Sequence, residues 1–348
     1  MFDFLIHVSG TTVRLSTDEP SYAEYLRLHF VEDLRPHAGE RAPIRVDVRW
    51  DHPRPLRPVA RAAPEAAWTQ LARGLATREG RLSWQPSRNL PGLTLEWDAT
   101  DSALSLHARF HWARTWHEER RLLRHACHAH RTLRQLTYYT VYYPAFLWME
   151  RQGWQVLHAA GVEVAGKGLA IVGPAGCGKS SLAMALTACP NARLLSDNLL
   201  LCRDQELLAV YEPIRLTRRS HNSPSDGFSV SPLQFSSRLT TLHADLDKRA
   251  TRARLGALLF PSLGPSSGIN HLPWSATHAR FQLAQDHASE LADYRLLKCA
   301  MSVIKGDINQ DSSPCGGGLT EAPSFEALLP RSRQAFEVVD KLLATVQL

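Results

Sequence analysis

The sequence predicts an α/β chain whose larger, later part surrounds a buried sheet and whose first hundred or so residues make a smaller α+β domain. Three observations predict it. Short apolar runs, several alternating with period two, fill the chain up to about residue 110. From about Trp116 the apolar spacing turns helical. Further on, the compact apolar run Gly168 to Val172 leads through the glycine-rich segment Gly173 to Ser180 into a helical stretch, as a buried sheet strand feeding a helix would.

Taken in order, Phe4 to Val8, Thr12 to Leu15, Ile44 to Trp50, Gly80 to Trp84, Gly92 to Trp97 and Ala103 to Phe110 read as strands. One helix interrupts them. It opens at Pro20, with Ser16, Thr17 and Asp18 as capping residues, and runs to about Leu34 with Tyr22, Tyr25, Leu26, Phe30 and Leu34 on one face. Pro53 to Pro64, with four prolines, reads as a loop. Leu122, Leu123, Cys127, Leu133, Leu136 and Val141 recur at helical spacing until Pro144 perturbs it. Val156 to His158 and Val162 to Val164 are expected as short strands, Ser181 to Ala188 as a helix, and Arg193 to Leu195, Leu207 to Tyr211 and Gly256 to Phe260 as strands. Ala276 to Val303 reads as largely helical, Gly306 to Gly318 as a polar loop and Phe325 to Leu343 as a closing helix. The expected division is an α+β domain over residues 1–115, a linking helix over 116–150, the α/β core over 151–305, and a loop and C-terminal helix packing on it over 306–348.

Composition excludes several classes. With 44% hydrophobic and 21% charged residues the chain is neither disordered nor fibrous. A formal net charge of +6, spread along the length, lacks the concentrated basic stripe of a nucleic-acid binder, and the dense runs are confined to Glu118 to Arg124 and Arg215 to Arg219. The six cysteines show no C-x-x-C pair or disulfide spacing, so reduced thiols in a cytoplasmic protein are expected. Met1 to Val13 lacks the features of a signal peptide, and no apolar stretch reaches the length of a membrane span.

The chemistry is most legible at Gly173-Pro174-Ala175-Gly176-Cys177-Gly178-Lys179-Ser180, which satisfies G-x-x-x-x-G-K-[ST] in full between a strand and a helix. Glycines let the backbone curl so that successive N–H groups cradle phosphates, and the helix N-terminus adds partial positive charge. The motif predicts nucleoside triphosphate binding, ATP with Mg2+, by Gly173 through Ser181. Lys179 reaches the β and γ phosphates and the Ser180 hydroxyl ligates the metal. Cys177 reads as a variable position whose place at a helix N-terminus lowers its thiol pKa.

From Leu157 to Asn198 the chain resembles the catalytic domain of HPr kinase/phosphorylase and its related bacterial kinases. In that family a histidine precedes a β-hairpin leading into the phosphate loop. Here Leu157-His158-Ala159-Ala160 stands in that register, with fourteen residues between His158 and Gly173 and Glu163 as the intervening acid. The family's strand ending in Ala-Asp-Asp corresponds to Leu194-Leu195 running into Ser196-Asp197-Asn198. The resemblance implies a P-loop core of the HPr kinase and phosphoenolpyruvate carboxykinase type. In it Asp197 accepts the proton of a substrate hydroxyl with His158 beside it, and Glu163 orients His158 or contacts metal. An aspartate after a core strand beside the phosphate loop suits that role, because phosphoryl transfer needs positioning, metal and a proton acceptor. Asp197 and Glu212 join Ser180 as expected metal contacts, Glu212 being weighed against a solvated loop glutamate. Two departures stand out: the second acid is Asn198, and no Glu-x-Arg-Gly signature follows, Tyr211 to Leu216 resembling only the looser relatives.

The implied function is ATP-dependent phosphoryl transfer to a serine or other hydroxyl of a protein or peptide, without a nucleic-acid partner. HPr kinases assemble as hexamers, a state not carried over to this chain, for which a homo-oligomer is left open. Two alternatives are a nucleotide-sensing binding protein and a small-molecule kinase related to phosphoenolpyruvate carboxykinase. Arg215, Arg218 and Arg219 read chiefly as a solvated face. His125, Cys127, His128 and His130 lack the spacing of a zinc site, and the aromatic run Tyr138 to Trp148 reads as packing.

Overall fold

The computed structural model describes residues 1–51, 68–86, 90–111, 126–217, 227–264, 267–305, 319, 322–330 and 336–346. The expected loop at Pro53 to Pro64, the start of the linking helix, Arg218, Arg219 and the segment Gly306 to Gly318 lie outside the described residues. The chain divides into two compact units, Met1–Met149 with Asp293–Gln310, and Glu150–Ala292 with Asp311–Leu348.

In the first unit β1 (Phe2–Val8) and β2 (Thr11–Thr17) form a hairpin, followed by α1 (Pro20–Phe30). Glu19, rather than the three residues before it, caps α1: its carboxylate accepts the Ser21 N–H at 3.1 Å. Asp18 is engaged elsewhere, accepting the Trp50 N–H at 3.0 Å. The expected face is buried, with Tyr22, Tyr25, Leu26 and Phe30 at most 2% exposed. The helix stops at Phe30, short of Leu34, because Leu34 pairs with Ile6 at the start of β3 (Leu34–Pro36).

Next come β4 (Ile44–Trp50), β5 (Thr69–Ala72), β6 (Leu75–Arg78), β7 (Arg81–Trp84), β8 (Leu93–Ala99) and β9 (Leu104–Phe110). Among the described residues these nine strands make one sheet, ordered β3-β1-β2-β4-β9-β8-β7-β6-β5. The unpredicted strands β3, β5 and β6 are short and lie at or near the sheet's ends, where pairing rather than apolar alternation makes them strands.

The linking helix is described as α2 (Ala126–Thr137), a π-helical turn (Tyr138–Tyr142) and α3 (Tyr143–Glu150). Pro144 does not end it. The Tyr143 N–H bonds five residues back to the Tyr138 carbonyl, and this wider turn makes room for the proline ring. The aromatic run is packing, as expected: Tyr138, Tyr139, Tyr142, Tyr143 and Phe146 are buried. Their polar atoms are met within the unit. The Tyr22 hydroxyl lies 2.7 Å from Thr140 Oγ1, and His29 bridges Tyr25 at 3.0 Å and Tyr142 at 2.8 Å. His125 lies outside the described residues, and His130 packs its ring 6.1 Å from that of Tyr25.

The second unit opens with one ten-residue strand, β10 (Gln155–Val164), where two short ones are expected. It turns at Ala165-Gly166, both at positive φ, into β11 (Lys167–Val172), and α4 (Lys179–Thr187) follows the glycine-rich segment. Then come β12 (Ala192–Ser196), β13 (Leu199–Arg203), β14 (Glu206–Val210), β15 (Ile214–Thr217), β16 (Phe228–Val230), β17 (Leu239–Ala244), β18 (Arg252–Gly264) and β19 (Gly268–His271). The chain ends through α5 (Trp274–Asp286), α6 (Ser289–Lys305), β20 (Ser324–Pro330) and α7 (Phe336–Val346). Where one closing helix is expected from Phe325, the chain is first a strand. Phe325, Ala327 and Leu329 alternate inward while Glu326 binds Arg280 at 2.9 Å, and β20 pairs in parallel with β18.

β11 pairs with β10 on one side and, in parallel, with β18 on the other. Pairings of β10 with β13, β13 with β14 and β14 with β18 close these five strands on one another. The β10–β11 hairpin is covered on both faces. Ala160, Val162, Leu169 and Ile171 pack with α4, and Leu157, Ala159, Ala170 and Val172 with residues that include Phe281 of α5. That double burial explains the unbroken apolar run before the glycines.

Replacing Tyr22 by Phe removes the hydroxyl's short bond to Thr140 and its longer one to Thr137, at 3.4 Å, without emptying the core, and the two threonines keep their bonds to the Leu136 and Leu133 carbonyls. The expected loss is about 1 kcal/mol of unfolding free energy in urea titration.

Candidate functional site

Val172 ends a central strand, so the segment after it leaves the carboxyl edge of the sheet and enters α4 directly. One of its glycines is required by geometry, and a second is closely packed. Gly178 has φ +104°, and a Cβ there would stand 2.6 Å from Leu329 Cδ1. A Cβ on Gly173 would stand 2.6 Å from Cys177 Sγ. The first turn of α4 leaves main-chain N–H groups without intrahelical partners, as any helix start does. Lys179 is buried and donates to the carbonyls of Gly173 at 2.7 Å and Pro174 at 3.1 Å. Burial pulls its pKa down, opposed by Cys177 and by the carboxylates of Asp197 and Glu290.

Asp197 sits where β10 changes partners. β13 pairs with the first half of β10 and β12 with the second half, and the chain crosses from one to the other through Asp197-Asn198. Ser196 fixes this elbow, donating to the Val210 carbonyl at 2.9 Å and accepting the N–H groups of Asn198 at 3.3 Å and Leu199 at 3.2 Å. The Asp197 side chain is 6% exposed, with the Ser180 hydroxyl and the Arg215 main-chain N–H near enough to act on it, while Oδ1 has no hydrogen-bond partner. Burial pushes its pKa up. The Ser180 hydroxyl, the Arg215 charge and the Arg215 N–H oppose that rise, and Glu212 adds to it.

His158, on β10, faces Leu199 across the ladder just before the change of partner. Gln285 of α5 clasps its main chain, accepting the His158 N–H at 2.7 Å and donating to its carbonyl at 3.3 Å. The ring is buried and Nδ1 has no partner. Burial lowers its pKa to about 4, helped by the charges of Lys179 and Arg215 and opposed by Glu290. The imidazole is therefore neutral at pH 7.

The fold thus brings Lys179, Ser180, Asp197 and His158 into one neighbourhood, with Glu212, itself 2% exposed, close enough to act on Asp197. Glu212 is not a solvated loop residue. Nor is Arg215 merely part of a solvated face, since its charge reaches both Asp197 and His158. Glu163 is elsewhere. It is five residues from His158 along β10, about 17 Å at strand rise, and binds the Gly166 N–H and Arg193, the latter at 2.8 Å. The expectation that it orients His158 is corrected by that distance. Cys177 is corrected too: burial raises its thiol pKa, outweighing Lys179 and the local N–H groups. Glu290 and Gln285 carry no sequence signal, because only the packing of α5 and α6 brings them here.

Among the described residues no three His, Cys, Asp or Glu side chains form a metal-binding group, and no helix is long and apolar enough to cross a membrane. No protein-family profile matches the chain, and no curated protein matches it. Among solved structures it is similar to the Hpr(Ser) kinase/phosphatase from Coxiella burnetii, at 13% identity and a TM-score of 0.25, over 56% of this chain and 99% of that one. So low a score gives that likeness no weight. The mixed α/β architecture stands on the strands and helices described above.

Because Asp197 has its pKa raised above the ordinary 3.8, the folded protein favours its protonated form, and ionising it costs stability. Asp197→Asn is expected to raise the melting temperature at pH 8, by about 2–4 °C per kcal/mol relieved, with the gain shrinking as pH falls toward 3.8. For His158 the sign is opposite: its depressed pKa contributes stability above 6.5 that is lost as pH falls toward about 4. Imidazole NMR should show no titration of His158 down to about pH 5, and a midpoint near 6.5 would contradict its burial.

Proposed function

We propose that the chain is an ATP-dependent phosphotransferase acting on a serine or other hydroxyl of a protein or peptide acceptor. The observation that carries this reading is the buried Asp197 carboxylate, with one side against the Ser180 hydroxyl of the phosphate-loop motif and Oδ1 unpartnered. A buried carboxylate oxygen without a partner is costly unless function uses it.

The residues fit a magnesium nucleotide. Main-chain groups from Gly173 through Ser181 would hold its phosphates, with Lys179 turning from the loop carbonyls to the phosphate charge. Ser180 and the Asp197 oxygen beside it, with Glu212 near, would hold the ion. Magnesium, when bound, neutralises phosphate charge. Asp197 Oδ1 takes the proton of the acceptor hydroxyl, whose oxygen bonds the terminal phosphorus as the bond to ADP breaks. The raised pKa of Asp197 suits a proton acceptor. Neutral His158, clasped by Gln285, adds no charge to that neighbourhood.

A second reading, a nucleotide-binding regulator that transfers nothing, draws support from Asn198 in place of a second acid and from the lack of a three-acid cluster among the described residues. Incubation with γ-labelled ATP and candidate acceptors separates them. Asp197→Asn is expected to lower transfer roughly 100- to 10,000-fold while ATP binding persists. An unchanged rate overturns the assignment of Asp197 as base, and firm ATP binding without transfer by the unaltered protein favours the regulator.

A further inference from the structure

The strands β15, β17 and β16 form a small sheet of their own, in that order. One face carries Ile214, Leu216, Leu242 and Ala244 into the core. By strand alternation Arg215 and Thr241, paired directly across β15 and β17, lie on the other face. The Thr241 carbonyl accepts the Ser231 N–H at 2.9 Å, on the side away from β15. A residue in an antiparallel ladder turns its N–H and carbonyl to the same side. Arg215 and Thr241 are therefore a narrow, non-hydrogen-bonded pair, in which side chains come closest. It follows that the Arg215 N–H points off the free edge of β15, and there it is near enough to act on Asp197. The main chain thus fixes Arg215 and Thr241 beside the buried carboxylate.

Both groups are uncommitted. Thr241 is 3% exposed and its Oγ1 has no hydrogen-bond partner. Among the described residues the Arg215 guanidinium makes no ion pair within 4 Å, and its charge reaches Asp197 and His158. A cationic fork and a buried hydroxyl, next to a buried carboxylate near Ser180 at the head of α4, match the oxygens at the far end of a triphosphate. We infer that Arg215, with Thr241 beside it, binds the terminal phosphoryl group of the nucleotide and so distinguishes triphosphate from diphosphate. The inference rests on the nucleotide-binding reading above. It gives Arg215 contact with the group being transferred, a role in which arginine stabilises charge during transfer.

Calorimetry with Mg2+ and either ADP or a non-hydrolysable ATP analogue tests it on the full chain. Arg215→Met is expected to weaken the ATP analogue roughly 10- to 100-fold and leave ADP unchanged. Arg215→Lys should fall between, and Thr241→Val should show a smaller loss with the same selectivity. If the wild type binds both nucleotides and folded Arg215→Met weakens both equally, or neither, the inference fails while the proposed function stands. A wild type that binds neither overturns both. Should Arg215→Met not fold, as judged by thermal melting, the Lys and Val variants carry the same test, and equal effects on the two nucleotides overturn the inference.

Discussion

A carboxylate buried with one oxygen unpartnered is a costly thing to fold around, and the second unit is organised so that this cost falls at one place. β10 is long enough to take two antiparallel partners in succession on the same edge, and Asp197 occupies the gap where one replaces the other. A residue in such a gap owes no hydrogen bonds to the ladder, so its main chain can turn sharply while neighbouring strands stay paired. Ser196 supplies the missing bonds to the two residues beyond. The elbow is rigid even though it is not a strand.

From that fixed point the rest of the neighbourhood follows by pairing. β11 lies beside β10, so the end of β11 and the start of α4 arrive next to the elbow, which puts Ser180 against Asp197. β15 reaches it by its free edge through the Arg215 N–H. α5 reaches it through Gln285, which bonds both main-chain groups of His158. Three separate elements thus reach one neighbourhood, α5 by the hydrogen bonds of Gln285 to His158 and the other two with the charges of Lys179 and Arg215. Burial, helped by Lys179 and Arg215, keeps His158 neutral, and burial outweighs both serine and arginine at Asp197.

Much of this was legible in the chain. The glycine-rich motif, the central strand before it and the helix after it are local features, each written in consecutive residues, and the strands of the first unit other than β3, β5 and β6 follow from alternation. The misreadings have a common physical source. Phe325 to Leu329 suits a helix by spacing, yet it is a strand because β18 offers it an edge. Glu163 precedes the loop in sequence but is carried to the far end of the hairpin by the rise of β10. Cys177 does stand at a helix start, but close packing against Gly173 and burial outweigh the helix terminus.

By itself, then, the sequence determined where backbone must bend and where it must be buried: glycines at Gly173 and Gly178, apolar residues through β10 and β11, a lysine and serine at the head of α4. These depend on the conformational freedom and solubility of residues close together in the chain. Only the tertiary structure decided which distant groups share the neighbourhood of Asp197, bringing in Arg215, Thr241, Gln285 and Glu290 and removing Glu163. Strand register and helix packing set those distances, and neither is a property of any short stretch of sequence.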